Sequence, residues 1–279
     1  MTFPIKRENS LQGLAILVAT LGTMAIGGAK AQESFPSGAS ASGWNYTVGA
    51  GALAMPNYEG SKHYVINPLP MLTASWRDTV SISAVEGLKV TMRPLSDQGF
   101  FVSGGVGYWL GRKEGVDKHH GDTLRGLGNI SGGGVGKLGV GYRYNALSFG
   151  LDVARDINDR EGTTVTPYGG YKIYQSRSFS LSGKLSTTWA DDNYMQNIFG
   201  ITPAQARNSL KHYAPFTAEA GLKDIKFGLT ANYSITPSVS LVAMTDVARL
   251  LGDAADSPIV KTQGSANQFS GGVGVTYRF

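Results

Sequence analysis

Phe269-Ser-Gly-Gly-Val-Gly-Val-Thr-Tyr-Arg-Phe279 closes the chain, and its residues alternate in character. Phe269, Val273, Val275, Tyr277 and Phe279 share one face at a period of two. Ser270, Gly272, Gly274, Thr276 and Arg278 share the other. That period marks a β-strand with one apolar side. In a soluble domain such a strand would leave Tyr and Phe bare at the very end. It is stable if the apolar side meets lipid and the aromatics sit at the membrane-water boundary, as in an outer-membrane barrel.

The start of the chain predicts the matching export route. Lys6 and Arg7 precede an apolar run from Leu11 to Ile26, followed by Ala29-Lys30-Ala31. This is the plan of a secretory signal with cleavage before Gln32. The alternative, a membrane anchor, needs ~20 apolar residues, and the run is shorter and broken by Thr20, Gly22 and Thr23. The expected organisation is a signal peptide over 1–31, a short periplasmic segment over 32–43 and a barrel over 44–279. No second apolar stretch of spanning length follows.

Composition agrees. Charged residues make up 16% of the chain, against ~25% in soluble domains, and its 38 glycines are about twice the average share. Cysteine is absent, which excludes disulfides, zinc-thiolate sites and cysteine nucleophiles. The formal charge of +5 shrinks when the signal leaves and has no basic cluster behind it, so nucleic-acid binding has no support.

Alternation recurs along the chain. Phe179, Leu181, Leu185 and Trp189 oppose Ser180, Ser182, Lys184 and Ser186; Phe227, Leu229, Ala231 and Tyr233 oppose Lys226, Thr230 and Asn232. Many runs reach the 9–11 residues that a tilted spanning strand requires. Short polar turns, such as Asn145-Ala146 and 236–238, alternate with longer connections near 55–63, 111–132, 158–161, 190–224 and 251–266. Outer-membrane barrels keep short turns in the periplasm and long loops outside. That parity predicts an all-β, antiparallel up-and-down transmembrane barrel of about twelve strands, ten and fourteen being the alternatives. It requires 79–93 to fold into two short strands near Glu86-Gly87 and 213–224 to be loop. Pro68 and Pro70 disturb the second strand, which is expected to be bulged or regular only from Met71. The lumen should hold Ser, Thr, Gly, Asn, Lys and Arg, including Lys184, Lys226 and Arg278.

Several motifs have bland explanations. Gly134-Val-Gly136-Lys-Leu-Gly139 matches a dinucleotide fingerprint but lies inside an alternating run. His119-His120 sits in a charged loop, where adjacent rings rarely chelate alone. Asp191, Asp192 and His212 form the one acid-base set worth testing for catalysis. Asp253 and Asp256 could ligate a cation, although a tight turn ending at Ser257-Pro258 accounts for the same residues. Thr202-Pro203 starts a short helix, and the apolar bulk of 190–212 implies an ordered loop. No catalytic residue, cofactor or metal is expected.

The loop segments resemble the MipA/OmpV family of MltA-interacting outer-membrane proteins. The resemblance lies in Pro56-Asn-Tyr58-Glu-Gly60-Ser61 with Pro68-Leu-Pro70, and in Trp189-Ala-Asp191-Asp192-Asn-Tyr194 through Phe199-Gly200. It continues in Gly252-Asp253-Ala-Ala-Asp256-Ser257-Pro258 and the closing Tyr277-Arg-Phe279. Ile198 departs from it, standing where an aromatic is expected. The resemblance implies an outer-membrane, non-catalytic scaffold that joins a lytic transglycosylase to a penicillin-binding protein, or a surface antigen. The last strand, ending in an aromatic, also resembles the signal that the insertion machinery reads in bacterial barrels, with Tyr277 and Phe279 as its expected residues. The alternative is a narrow channel for small solutes.

Overall fold

The structure is a computed structural model that describes residues 43–77, 79–84, 86–92, 98–116, 121–157 and 162–279. The expected signal peptide over 1–31, nearly all of the segment 32–43, and His119-His120 lie outside the described residues.

Twelve strands close into one antiparallel barrel in which each strand neighbours the next in sequence and the last returns to the first. They are β1 (Trp44–Pro56), β2 (Tyr64–Trp76), β3 (Val80–Ser83), β4 (Gly87–Met92), β5 (Gly99–Trp109) and β6 (Gly133–Tyr144). They continue as β7 (Leu147–Asp156), β8 (Thr163–Gln175), β9 (Phe179–Ala190), β10 (Gly221–Ser234), β11 (Val239–Leu250) and β12 (Asn267–Arg278). The count, the up-and-down order and the two short strands before residue 93 agree with the sequence-based expectation. None of the described helices is long and apolar enough to cross a membrane, and the apolar belt is carried by strands.

Orientation follows from the pleat. Val48, Leu72, Val102, Leu138, Leu151, Leu185, Val247 and Val273 are all exposed, so the apolar faces point outward. This inverts a soluble sandwich and is the pattern that lipid stabilises. Exposed aromatics gather at the end with the short turns, where Tyr46, Phe100, Tyr142, Tyr144, Tyr174, Tyr277 and Phe279 form a girdle. Tyr64, Tyr108 and Trp189, also exposed, mark the opposite rim. The register pairs Thr47 with Arg278, Ser186 with Lys226 and Gly170 with Lys184, which places all three expected cations in the lumen.

Closure rests on the β1–β12 seam. Gly51 faces Gly274 there, and a Cβ on Gly51 would meet the Val273 carbonyl oxygen at 2.3 Å. The final residue takes part: the Phe279 N–H donates to the Tyr46 carbonyl (3.0 Å), and the Tyr277 and Phe279 rings meet edge to face at 4.9 Å.

Four expectations need correction. β2 is neither bulged nor confined to Met71 onward, because it pairs with β1 without interruption from Tyr64 to Trp76. Residues 221–224 belong to β10 instead of a loop. A bulge between Leu222 and Asp224 inserts Lys223, and this slip hides the strand start from a period-two reading. The lumen is not uniformly polar, since Leu53, Met55, Leu69 and Met244 pack there as a buried cluster. Finally, 252–256 is helical where a tight turn was expected.

Removing Tyr277–Phe279 deletes one end of the seam. Export should continue while assembled barrel in the outer-membrane fraction falls to a small residue. Normal surface levels of that truncation, measured by heat-shifted mobility of envelope samples, would show that the C-terminal aromatics are dispensable.

Candidate functional site

The long connections gather at one mouth of the barrel and build a cap. Four helices lie in it: α1 (Asp192–Phe199), α2 (Pro203–Asn208), α3 (Gly252–Asp256) and α4 (Pro258–Gln263). The local sequence explains them. Asp191 caps α1, its Oδ1 accepting from the Tyr194 N–H at 2.8 Å. Thr202 and Gln205 form a reciprocal capping box on α2, with Pro203 in its first turn. Pro258 opens α4 in the same way. Sequence reasoning anticipated α2 and missed the other three, which are too short to develop a helical period.

Two apolar clusters hold the cap together. Met195, Ile198 and Phe199 from α1 pack on Leu250, Ala254 and Val260. Tyr58, Leu124, Leu127, Ile201, Tyr213 and Ile259 form the second cluster. Loop 191–220 is therefore ordered against loop 251–266, which accounts for its apolar bulk. The 110–132 loop is tied in by Gln205 Nε2 donating to the Leu127 carbonyl (2.7 Å) and by Tyr213 Oη donating to the Thr123 carbonyl (3.2 Å). Gly126 is required where that loop meets α2, since its φ is +86° and a Cβ would strike the Asn208 carbonyl at 2.0 Å.

The loop residues singled out in the sequence converge on this cap. Pro56 ends β1, and Tyr58 is buried beyond it. The Gly60 N–H donates to Gln268 Oε1 (3.1 Å), and Gln268 Nε2 donates to the Ser61 carbonyl (3.1 Å), which pins the first loop to β12. The fully buried Ser257 donates its hydroxyl to the Phe199 carbonyl at 2.6 Å. The Gly200 N–H closes α1 on the Gln196 carbonyl, and Gly252 opens α3 at a φ of +48°. Trp189 departs from the group and faces outward at the rim.

In the acid-base set, backbone N–H groups take up both carboxylates. Asp191 Oδ2 accepts from the Thr163 N–H (2.9 Å), and Asp192 Oδ1 accepts from the Ala220 N–H (2.6 Å). His212 occupies a left-handed turn, φ 54°, with its backbone N–H on the Ser209 carbonyl. Asp253 Oδ2 accepts from the Glu219 N–H (2.8 Å), and Asp256 pairs with Lys261 (3.1 Å), so these carboxylates serve structure. Among the described residues, no three His, Cys, Asp or Glu side chains group as a metal site.

Sequence reasoning missed the electrostatic centre of the cap. The nearly buried ammonium of Lys223, carried on the β10 bulge, pairs with Glu59 Oε1 and lies 2.8 Å from Asp224 Oδ2. Tyr194 donates its hydroxyl to Glu59 Oε2 (3.1 Å), and Lys223 stands 5.5 Å from the Tyr194 ring centre. Burial, with Glu59 beside it, pushes the Tyr194 phenol above its ordinary pKa, so it stays a neutral donor. Arg112 donates from Nη1 to the Ile198 carbonyl (2.7 Å), placing a cation at the C-terminal end of α1. Loss of water lowers that guanidinium to about 10, still protonated at neutral pH.

The match to known proteins can now be placed on this geometry. A family model described as "MltA-interacting protein MipA" covers residues 48–279. This chain belongs to the MipA family. The match spans both barrel and cap. Among solved structures, a bacterial polysaccharide outer-membrane secretin is similar at 10% identity, with 86% of this chain and 100% of that one covered and a TM-score of 0.43. The outer-membrane protein OprD of Pseudomonas aeruginosa follows at 13% identity, 85% and 65% coverage and a TM-score of 0.35. OmpT of Vibrio cholerae is similar at 9%, with 85% and 97% coverage and a TM-score of 0.34. No functionally curated protein matches significantly. The protein is an outer-membrane β-barrel.

Two substitutions test the cap. Phe199→Ala empties its apolar core and should cost about 3–5 kcal/mol locally. Arg207 and Lys211 should then be cut quickly by trypsin on intact cells, while the barrel keeps its heat-shifted mobility. Lys223→Met removes the cation between buried Asp224 and half-buried Glu59, at a comparable cost of about 3–5 kcal/mol. It should loosen the same sites, and Lys223→Met with Glu59→Gln should recover part of the protection. Tryptic rates equal to wild type in both single variants would mean that these contacts do not hold the cap.

Proposed function

We propose that this MipA-family barrel is a non-catalytic scaffold that holds a lytic transglycosylase and a penicillin-binding protein at the inner face of the outer membrane. The observation that carries the reading is the family match over 48–279, whose description names an interaction with MltA. The cap supports it indirectly. A mouth closed by two apolar clusters and a buried ion network suits a protein whose work is contact, because a conducting pore needs that mouth open. The cap also offers the outward surface through which the chain would act as a surface antigen.

A periplasmic partner meets the end with the short turns. Stable interfaces bury ~800 Å² on each side, so a partner has to use several turns together. Among the described residues, Arg77 and Arg177 project from those turns, and Arg143 and Arg278 lie just inside the rim. This favours an acidic surface on the partner.

Crosslinking and pull-down from intact envelopes tests the reading. The wild-type barrel should recover a lytic transglycosylase. The pair Arg77→Glu and Arg177→Glu should lower that recovery about tenfold or more at unchanged barrel level. Recovery of no cell-wall enzyme, together with defined openings in planar bilayers that respond to Lys184→Gln or Lys226→Gln, would replace the scaffold with the channel.

A further inference from the structure

Among the described residues, the barrel wall is lower on one side. β2 is thirteen residues long, while its neighbour β3 has four and β4 six. β2 pairs with β3 only from Thr73 to Trp76, and the Ala84 N–H donates to the Leu72 carbonyl just above. From Tyr64 to Met71 this edge of β2 has no strand beside it among the described residues. The next full strand on that side is β5, whose pairing with β4 ends at Val106. Three strand spacings of ~4.8 Å separate β2 from β5, so the notch is ~14 Å wide. Tyr64 and Tyr108, the outward aromatics at its upper corners, set the notch below the outer interface and within the lipid.

An unpaired backbone in lipid is costly, at several kcal/mol for each N–H or C=O. The sequence reduces that cost at this edge. In a strand the N–H and C=O of one residue leave on the same side, and successive residues alternate. Leu72 directs its carbonyl toward β3, so residues 64, 66, 68 and 70 direct theirs toward the notch. Pro68 and Pro70 remove two of those four N–H groups and bar another strand from adding there. The two prolines that first argued against β2 as a strand thus lie on the one edge that tolerates them.

Both sides of the notch have a distinct chemistry. On the outer wall, an open groove of about 590 Å³ crosses β9 to β12 and β1, past Leu181, Leu229, Ala243 and Phe269, and reaches Ile66 on β2 at its near end. Inside β2, the apolar cluster of Leu53, Met55, Leu69 and Met244 lines this part of the lumen. Asn67, 1% exposed and also lumen-facing, has no partner for Nδ2. The sill is basic: Lys137 Nζ stands 3.4 Å from the Glu86 carbonyl and 3.2 Å from where a Cβ on Gly107 would lie. Lys89 and Lys184 lie within electrostatic reach of the Glu86 carboxylate, with Asp152 the opposing charge.

We infer that the notch is a lateral portal through which a long-chain fatty acid passes from the membrane into the lumen beneath the cap. Its acyl chain lies in the outer groove and then against the lumenal Leu-Met cluster. Its carboxylate meets Lys137 at the sill. The portal has no need of an open mouth, and it stands or falls independently of the scaffold reading.

The absence of cysteine makes the test clean. Bimane is attached at Met71→Cys, which faces the lumen behind the notch, and separately at Ile66→Cys, which faces lipid. The purified full-length protein is reconstituted in liposomes and titrated with a doxyl-labelled stearic acid or its methyl ester. The acid should quench bimane at position 71 saturably, and unlabelled oleic acid should reverse it. The ester should need about tenfold more for the same effect, and Lys137→Gln should abolish that difference. Quenching confined to position 66, or unsaturable and uncompeted at 71, would mean that lipid stays outside and would overturn the portal. Equal action of acid and ester in the wild type would overturn the fatty-acid assignment. Heat-shifted mobility verifies each variant, and Val65→Cys replaces Met71→Cys if the latter does not assemble.

Discussion

Lipid offers no hydrogen bonds, so the β1–β12 seam is the contact on which everything else in this molecule depends. Every backbone N–H and C=O at membrane depth has to find a partner in the protein. Eleven of the twelve strands can pair locally with the strand before them, and only the pairing of β12 with β1 brings together opposite ends of the chain. The glycines at that seam, Gly49 and Gly51 across from Thr276 and Gly274, allow the two backbones to approach where a side chain would intrude. Closure also fixes which way each strand faces. A slip of one residue at the seam would turn Val273, Val275 and Tyr277 into the lumen and Arg278 into lipid.

The cap follows from the same constraint seen from above. Loops that leave a closed barrel are held at spacings set by the strands, so four of them can meet over one mouth and bury Phe199, Ile201 and Ile259. The Lys223 bulge couples the two layers. It places a cation at the rim that reaches Glu59 in the first loop and Asp224 on the wall, with Tyr194 of α1 alongside. Such a buried ion set adds little stability compared with an apolar replacement, but it loses much when one member is removed. Its effect is to specify one docking of the cap on the barrel.

How much of this could be read from the sequence depends on how regular each element is. β12 and most of β9 alternate cleanly, and their faces, with Lys184 and Arg278 on the lumenal side, were legible at once. β3 and β4 are too short to show a period and were found only because loop parity demanded them. The start of β10 was missed because Lys223 breaks the alternation, shifting the outward series from Leu222 to Ile225. The cap was legible only as apolar excess in 190–212. Its partners, Gln268, Arg112 and Glu59, come from distant parts of the chain and carry no local signal. For Asp191, Asp192 and Asp253 the structural alternative was legible beside the chemical one, but not the partners: N–H groups at the ends of helices and loops take up their carboxylates.

The lumenal Leu53-Met55-Leu69-Met244 cluster shows why a period-two reading cannot settle what a barrel encloses. Alternation separates inward from outward but says nothing of polarity inside, and β1 and β2, Asn67 aside, are apolar on both faces over their upper halves. A strand that is apolar on both sides belongs where both sides are dry. Here one side meets lipid and the other meets packed side chains, on the stretch of β2 whose edge is open. Pro68 and Pro70 complete the pattern, since a proline without an N–H carries no penalty where, among the described residues, no strand pairs. The irregularity of β2 is therefore coherent across sequence, pairing and packing, and it makes the two ends of the lumen chemically unequal.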